Sequence, residues 1–206
     1  MRHRIWCLLP VVVNLFAQAT RPDTDEDPRY FPAGVFARGK WDNALAAQWY
    51  RGQLRALDEP ALFNNPSLTA EVVYRFTWLR TFHHPIALRV VIHADGTGTL
   101  TAKMADGAGG YKPGKLTLNR TREISQAEVQ RLSSLVQAMD FWHMPTEPPF
   151  DKGAGCFGAE WILEGLRGAE YHVVDRWSPE KGPLHKLGLY LVQDLGRIGI
   201  PPEAIY

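Results

Sequence analysis

The sequence predicts an α+β domain built on a single antiparallel sheet of about five to six strands, with helices covering one of its faces. Three observations carry this expectation. Short runs of alternating apolar and polar residues recur between positions 72 and 124 and again between 157 and 177. Clusters rich in Gly and Asp separate the runs closely enough to join neighbouring strands by hairpins. Helical spacing of apolar residues, at threes and fours, recurs at three places between and around the strand regions. The expected order is α-β-β-β-β-α-β-β-α.

The chain opens with Arg2 and Arg4, an apolar stretch from Ile5 to Phe16, and the small-x-small exit Ala17-Gln18-Ala19. A positive head, apolar middle and small-residue exit in that order read as a cleavable secretory signal, residues 1–19, cut after Ala19. A retained span would need about 20 apolar residues to cross the hydrocarbon, and this run has twelve. Cys7 stands near the start of the apolar segment, whereas a lipid-bearing cysteine would stand at its end. The product is therefore expected outside the cytoplasm, periplasmic or secreted, with no membrane span in the mature chain. Cleavage would leave Cys156 as the one remaining cysteine, so no intramolecular disulfide is expected and stability must come from burial.

The whole chain has 23 Lys and Arg against 22 Asp and Glu, and the signal removes Arg2 and Arg4, leaving 21 against 22. A nucleic-acid binder needs a basic excess to release counterions, and this balance argues against one. Residues 20–40, rich in Pro, Asp and Gly, read as a mobile leader whose Tyr30, Phe31 and Phe36 could dock its far end. Residues 41–206 form the expected single domain.

Asp42 is placed to cap a first helix with apolar positions Leu45, Trp49, Gly52 and Ala56, widened by Leu54 and Leu57 and stopped at Pro60. Val72 to Phe82 then alternates, with Tyr74, Phe76, Trp78 and Phe82 on one face and Arg75, Thr77 and Thr81 on the other. Ile86, Leu88, Val90 and Ile92 alternate likewise, and Asp95-Gly96-Thr97-Gly98 turns the chain into a return strand through Leu100, Ala102 and Met104. A second turn at residues 106–110 leads to a strand over 115–124. Ser125 and Glu128 form a capping box for a helix bearing Val129, Leu132, Val136 and Met139 on one face. After a proline-rich loop, 157–164 and 170–177 pair as a hairpin about Gly165–Gly168, and Pro183 begins a last helix through Leu184, Leu187, Leu191 and Leu195.

That hairpin holds the candidate site residues. Pairing Gly165 with Gly168 sets Trp161 opposite His172 and Glu160 opposite Val173. Trp161, His172 and Arg176 then share the more apolar face. As a core face it buries a satisfied histidine; as a site it offers an anion pocket, with the Arg176 fork and a titratable His172 against the Trp161 wall. Glu160 and Asp175 become diagonal neighbours on the other face, where two close carboxyls could divide acid and base roles. A solvated acidic sheet face explains the same letters. Trp142 and Trp177, at element ends, are the tryptophans best placed for exposure and for stacking on a sugar ring.

No histidine spacing supports a metal centre. His83 and His84 are adjacent before Pro85, and extended neighbours point to opposite faces. The chain lacks a GxSxG elbow, and nothing local lowers the pKa of Cys156. The glycine-rich stretch 107–114 precedes a strand, so it lacks the helix terminus that makes such loops cradle phosphate. No cofactor is expected.

On Phe141-Trp142, Trp161-Ile162-Leu163-Glu164 and Tyr171-His172-Val173-Val174-Asp175-Arg176-Trp177-Ser178-Pro179, the chain resembles a group of bacterial exported proteins of unknown function. The likeness covers about the last two thirds of the chain and implies a domain type without a mechanism. The leading expectation is a non-enzymatic envelope module that binds a protein or small ligand. The alternatives are a hydrolase of an envelope polymer, acting through Glu160 with Asp175 or His172 with Arg176, and a metal-binding periplasmic protein.

Overall fold

The computed structural model describes residues 29–36, 43–68, 71–148 and 157–206. The expected signal and its cleavage point after Ala19, the first part of the expected leader, Asp42 and Cys156 lie outside the described residues.

Six strands form one antiparallel sheet in the order β4-β3-β2-β1-β5-β6: β1 (Val72–Arg80), β2 (Ile86–Ile92), β3 (Gly98–Ala105), β4 (Leu116–Ile124), β5 (Ala159–Arg167) and β6 (Glu170–Trp177). Among the described residues three α-helices accompany it: α1 (Asn43–Ala56), α2 (Gln126–Ala138) and α3 (Pro183–Leu189), the last continuing as a π-helical turn through Leu195. This is the expected fold class and element order. The first four strands form the anticipated meander. After α2 the chain returns to lay β5 along the free side of β1, so β1 sits between β2 and β5.

β1 is central because it is buried on both sides and carries apolar residues on each. Its even-numbered residues Tyr74, Phe76 and Trp78 join Ile86, Leu88, Val90, Leu100, Trp161, Leu163 and Val174 in the larger core, closed by α2 and α3. Its odd-numbered residues also face inward. Leu79 packs with Ile162, Val173, α1 and the 30–36 segment, while Val73 packs with Leu62, Val91 and Leu166. The sheet is thus covered on both faces, with α1 opposite α2 and α3, and the expectation of helices on one face is corrected. The physical reason is in the strands: a face bearing Val73, Leu79, Ala87, Val91, Ile162 and Val173 must be buried.

Two local expectations also change. The buried stripe of α1 is Ala46, Tyr50, Gln53 and Leu54, continuing to Leu57, while Leu45 is 55% exposed. Apolarity alone misplaces this stripe, because Tyr50 and Gln53 find hydrogen-bond partners under the helix. Phe82 lies beyond β1 and is 54% exposed, leaving the core face expected for it. Tyr30, Phe31 and Phe36 do dock on α1, with Phe36 and Tyr50 edge to face at 5.2 Å.

Candidate functional site

The β5–β6 hairpin turns through Gly168 and Ala169, with Arg167 opposite Glu170 and Gly168 at φ 58°. A positive φ at the first loop position suits glycine. Trp161 therefore faces Arg176 and Glu160 faces Trp177, whereas the expected register set them against His172 and Val173. The slip is even, so each residue keeps its expected face.

On the first face the three candidate residues hold structure together. Trp161 is fully buried, lies against the His185 ring at 5.4 Å, and donates its indole N–H to the Tyr206 carbonyl oxygen at 2.9 Å. The His172 Nε2 is 2.8 Å from the Met144 carbonyl oxygen, and burial lowers the imidazole pKa. Arg176 donates to the carbonyls of Thr146 and Asp175 through Nη1 and to that of Pro145 through Nη2, at 2.6–2.8 Å. Together with the Asp175 N–H bond to Thr146, these fasten residues 144–146 along β6, the outer strand. Both Nη atoms of Arg176 are thus committed to backbone carbonyls.

The second face is buried, correcting the picture of a solvated acidic surface: Glu160 is 6% and Asp175 8% exposed. The expected diagonal pairing does form, because Asp175 lies opposite Ile162, two residues from Glu160. A side-chain hydrogen bond links the two acids. Tyr50 donates its hydroxyl to Asp175 Oδ2 at 2.7 Å from α1 above, while Asp175 Oδ1 has no partner of ordinary geometry. Burial raises the Asp175 carboxyl to about 6 against the pull of Tyr50 and Glu160, with Glu147 adding to the rise and Arg176 opposing it. Burial and the neighbouring acids Asp175 and Glu160 push the Tyr50 hydroxyl well above its usual range. Trp177, on this face at the end of β6, is partly buried.

Beside this pair lies a charge network missed by sequence reasoning. Arg75, fully buried, forks onto Glu164 with two bonds of 2.7 Å and donates to the Pro60 carbonyl. Glu59 accepts from Arg89 at 2.9 Å and stands 3.4 Å from the Lys103 ammonium, and Tyr171 donates to Glu164 at 2.8 Å. Burial opposes the Arg75 charge, yet Glu164 and Glu59 outweigh it and raise its pKa. The usable signal was Arg75 itself, a cation in the middle of a strand, between Tyr74 and Phe76.

At one end of the sheet the surface is aromatic. Phe82 follows β1, Tyr111 lies in the β3–β4 connection and Phe157 precedes β5. They are 54%, 63% and 63% exposed, and Phe82 lies 6.2 Å from Tyr111 and 5.2 Å from Phe157 between ring centroids. The loops that carry them are bound to one another. Thr81 donates from N and Oγ1 to the Gly158 carbonyl, at 2.9 and 2.8 Å, and its own carbonyl accepts from Gly110 N–H. Gly109 N–H donates to the His83 carbonyl at 2.9 Å. A Cβ on Gly109 would stand 2.7 Å from the Leu79–Arg80 backbone, so this approach requires glycine. Gln53 of α1 completes the arrangement, donating to the carbonyls of Gly109 at 3.1 Å and Tyr111 at 3.0 Å. Phe82 and the Gly107–Gly110 run were visible in the sequence; their convergence with Phe157 was not.

A pocket of about 320 Å³ lies between the end of α2 and the hairpin, where Arg167 covers the Trp142 ring at 4.2 Å from its centroid. Trp142 is partly buried and packs against the larger core. Among the described residues no three His, Cys, Asp or Glu side chains are grouped to hold a metal ion, and no helix is long and apolar enough to cross a membrane. No protein-family model matches the chain, and no curated protein matches it.

Proposed function

We propose that this is an exported binding module of the bacterial envelope, contacting a protein or small ligand through Phe82, Tyr111 and Phe157. One observation carries the reading: three large rings, each more than half exposed, are gathered on three loops that hydrogen-bond to one another. Apolar area left in water costs about 25 cal/mol per Å² relative to burial, so grouped exposed rings on a braced support favour a partner that covers them. Rings fixed in advance lose little freedom on binding. Export rests on the amino-terminal pattern ending at Ala19, and the bacterial envelope also on the resemblance of the hairpin region.

The test is a thermal-shift and NMR titration against defined envelope components, including peptidoglycan fragments and purified envelope proteins. Phe82→Ser and Tyr111→Ser are expected to weaken binding at least about tenfold while leaving unfolding within about 0.5 kcal/mol of wild type. Binding that survives both substitutions, or measured turnover of an envelope polymer, overturns the reading.

A second reading, hydrolysis, draws on the meeting of Glu160 with Asp175. It requires that Asp175→Asn abolish turnover of a glycan or peptide polymer. The burial of both acids beneath α1 favours the binding reading.

A further inference from the structure

We propose that the pocket between the end of α2 and the β5–β6 hairpin binds a neutral sugar, held by Gln137, Asp140 and Arg167 above an aromatic floor. This site stands apart from the aromatic loop surface. Tyr74 and Arg167 lie at the ends of β1 and β5 opposite to those that lead to Phe82 and Phe157.

The floor is built by close contact. Tyr74 of β1 and Val136 of α2 are buried, and Phe141 is fully buried beside them. The ring centroids of Tyr74, Phe141 and Trp142 lie 5.1–6.2 Å apart. A Cβ on Gly165 would stand 2.5 Å from the Phe141 ring and 3.1 Å from that of Trp142. Glycine at 165 therefore lets the Phe141–His143 turn sit directly on β5. The floor is in place before any ligand arrives, and a preformed site loses little freedom on binding.

The rim is polar and has hydrogen-bonding capacity to spare. Ser133 and Gln137 stand one turn apart on α2, and Arg167 closes the far side from the hairpin. Asp140, just past the end of α2, is left-handed at φ 51° and ψ 46°, which carries its carboxylate to the rim. His143 Nδ1 is 2.7 Å from Asp140 Oδ1, and Glu170 accepts from Arg167 Nε at 2.6 Å. Among the described residues Asp140 Oδ2 and both Arg167 Nη groups have no protein partner, nor do the Ser133 hydroxyl and the Gln137 amide. All four side chains are exposed, so water serves them until a ligand takes its place.

This lining selects the ligand by its charge and its two faces. One carboxylate and one guanidinium stand with a neutral amide and a hydroxyl. A phosphate would meet Asp140, a simple cation would meet Arg167, and a wholly apolar molecule would leave the rim unpaired. A sugar ring answers all three. Its C–H face suits the apolar floor, and its hydroxyls donate to Asp140, accept from Arg167 and do either with Gln137. The volume of about 320 Å³ lies at the small end of the roughly 300–1,000 Å³ spanned by small-molecule sites, a size suited to a mono- or disaccharide.

The experiment is an NMR titration of the full chain with glucose, galactose, N-acetylglucosamine, maltose, cellobiose and N,N′-diacetylchitobiose. At least one is expected to give saturable shifts of the Trp142 indole N–H and of the Gln137, Asp140 and Arg167 amides. Gln137→Ala and Asp140→Gly are each expected to weaken that binding at least about tenfold, because each strips a partner from a bound hydroxyl. Both positions are exposed, and glycine suits the left-handed backbone at 140, so both variants should keep the native spectrum elsewhere. Phe82→Ser, at the other end of the sheet, is expected to leave the affinity unchanged. The proposal is overturned by the absence of saturable shifts at these residues with every sugar, or by an affinity unchanged in either pocket variant. An affinity that falls with Phe82→Ser, or saturation of the same resonances by inorganic phosphate or leucine instead of a sugar, overturns it equally.

Discussion

Asp175 and Arg75 show how differently two buried charges can be settled on one sheet face. Asp175, ordinarily near 3.8, is raised to about 6 chiefly by burial. A raised acid contributes stability that is complete below its ordinary value and lost as pH rises through its folded value. Two pH units set an upper bound of about 3 kcal/mol. Asp175→Asn is therefore expected to stabilise the protein by up to about 3 kcal/mol at pH 7.5 and to give no gain near pH 3.5, read by urea unfolding at both. Arg75 is instead satisfied by the Glu164 fork and the Pro60 carbonyl. Arg75→Met strands Glu164 and is expected to cost about 3–5 kcal/mol, most of it regained when Glu164→Leu is added. The same urea experiment checks this, and an additive double variant would contradict it. Sequence reasoning found Glu160 and Asp175 as a pair because the hairpin's period of two survives an even slip. It missed Tyr50 and Gln53 because both are polar, and polarity is a poor guide to exposure once a partner waits beneath.

At the scale of elements, α2 was the most legible part of the chain. Its capping box is present as expected: Ser125 accepts from Glu128 N–H, and the Glu128 carboxylate accepts from Ser125 N–H. Arg122 and the Ser125 donors hold Glu128 down to about 2. Ser125→Ala is expected to cost about 1 kcal/mol, seen as a lower urea midpoint at unchanged slope. α3 was legible in its start at Pro183 and its leucine stripe, but its seat was not. Gly188 lies so close to the sheet that a Cβ would stand 2.5 Å from the Trp161 ring and 2.8 Å from Phe76. Gly188→Ala, favourable by helix propensity alone, is expected instead to destabilise by about 1–3 kcal/mol through overpacking. Chemical denaturation decides the sign. α1 was the least legible helix, because its stripe mixes Ala46 and Leu54 with Tyr50 and Gln53, and Leu45 outside the stripe is apolar.

For the whole molecule, the placement of β5 against β1 has the largest consequences. It moves β1 to the interior of the sheet, brings Trp78 beside Trp161 at 4.8 Å between ring centroids, and joins Arg75 to Glu164 across 89 residues. The centre should therefore open last. Native-state hydrogen exchange is expected to be slowest in β1 and β5 and fastest in β4, an outer strand with mostly partly buried and exposed residues. Equal protection in β4 and β1 would contradict this order of stability. The same architecture gathers Phe82, Tyr111 and Phe157, since the β1–β2 turn, the β3–β4 loop and the approach to β5 reach one end of the sheet.

By itself the sequence determined the fold class, the six strands, the three helices, the capping box and the division of the hairpin into two faces. Each depends on residues within a few positions of one another: periods of two and 3.6, a cap and its third neighbour, a glycine at a turn. Only the tertiary structure decided that α1 covers the opposite face of the sheet, that Tyr50 meets Asp175 across 125 residues, and that three separate aromatic loops form one surface. Those outcomes turn on which distant partner satisfies a buried polar group. A local pattern carries no record of a partner that the chain meets only once it has folded.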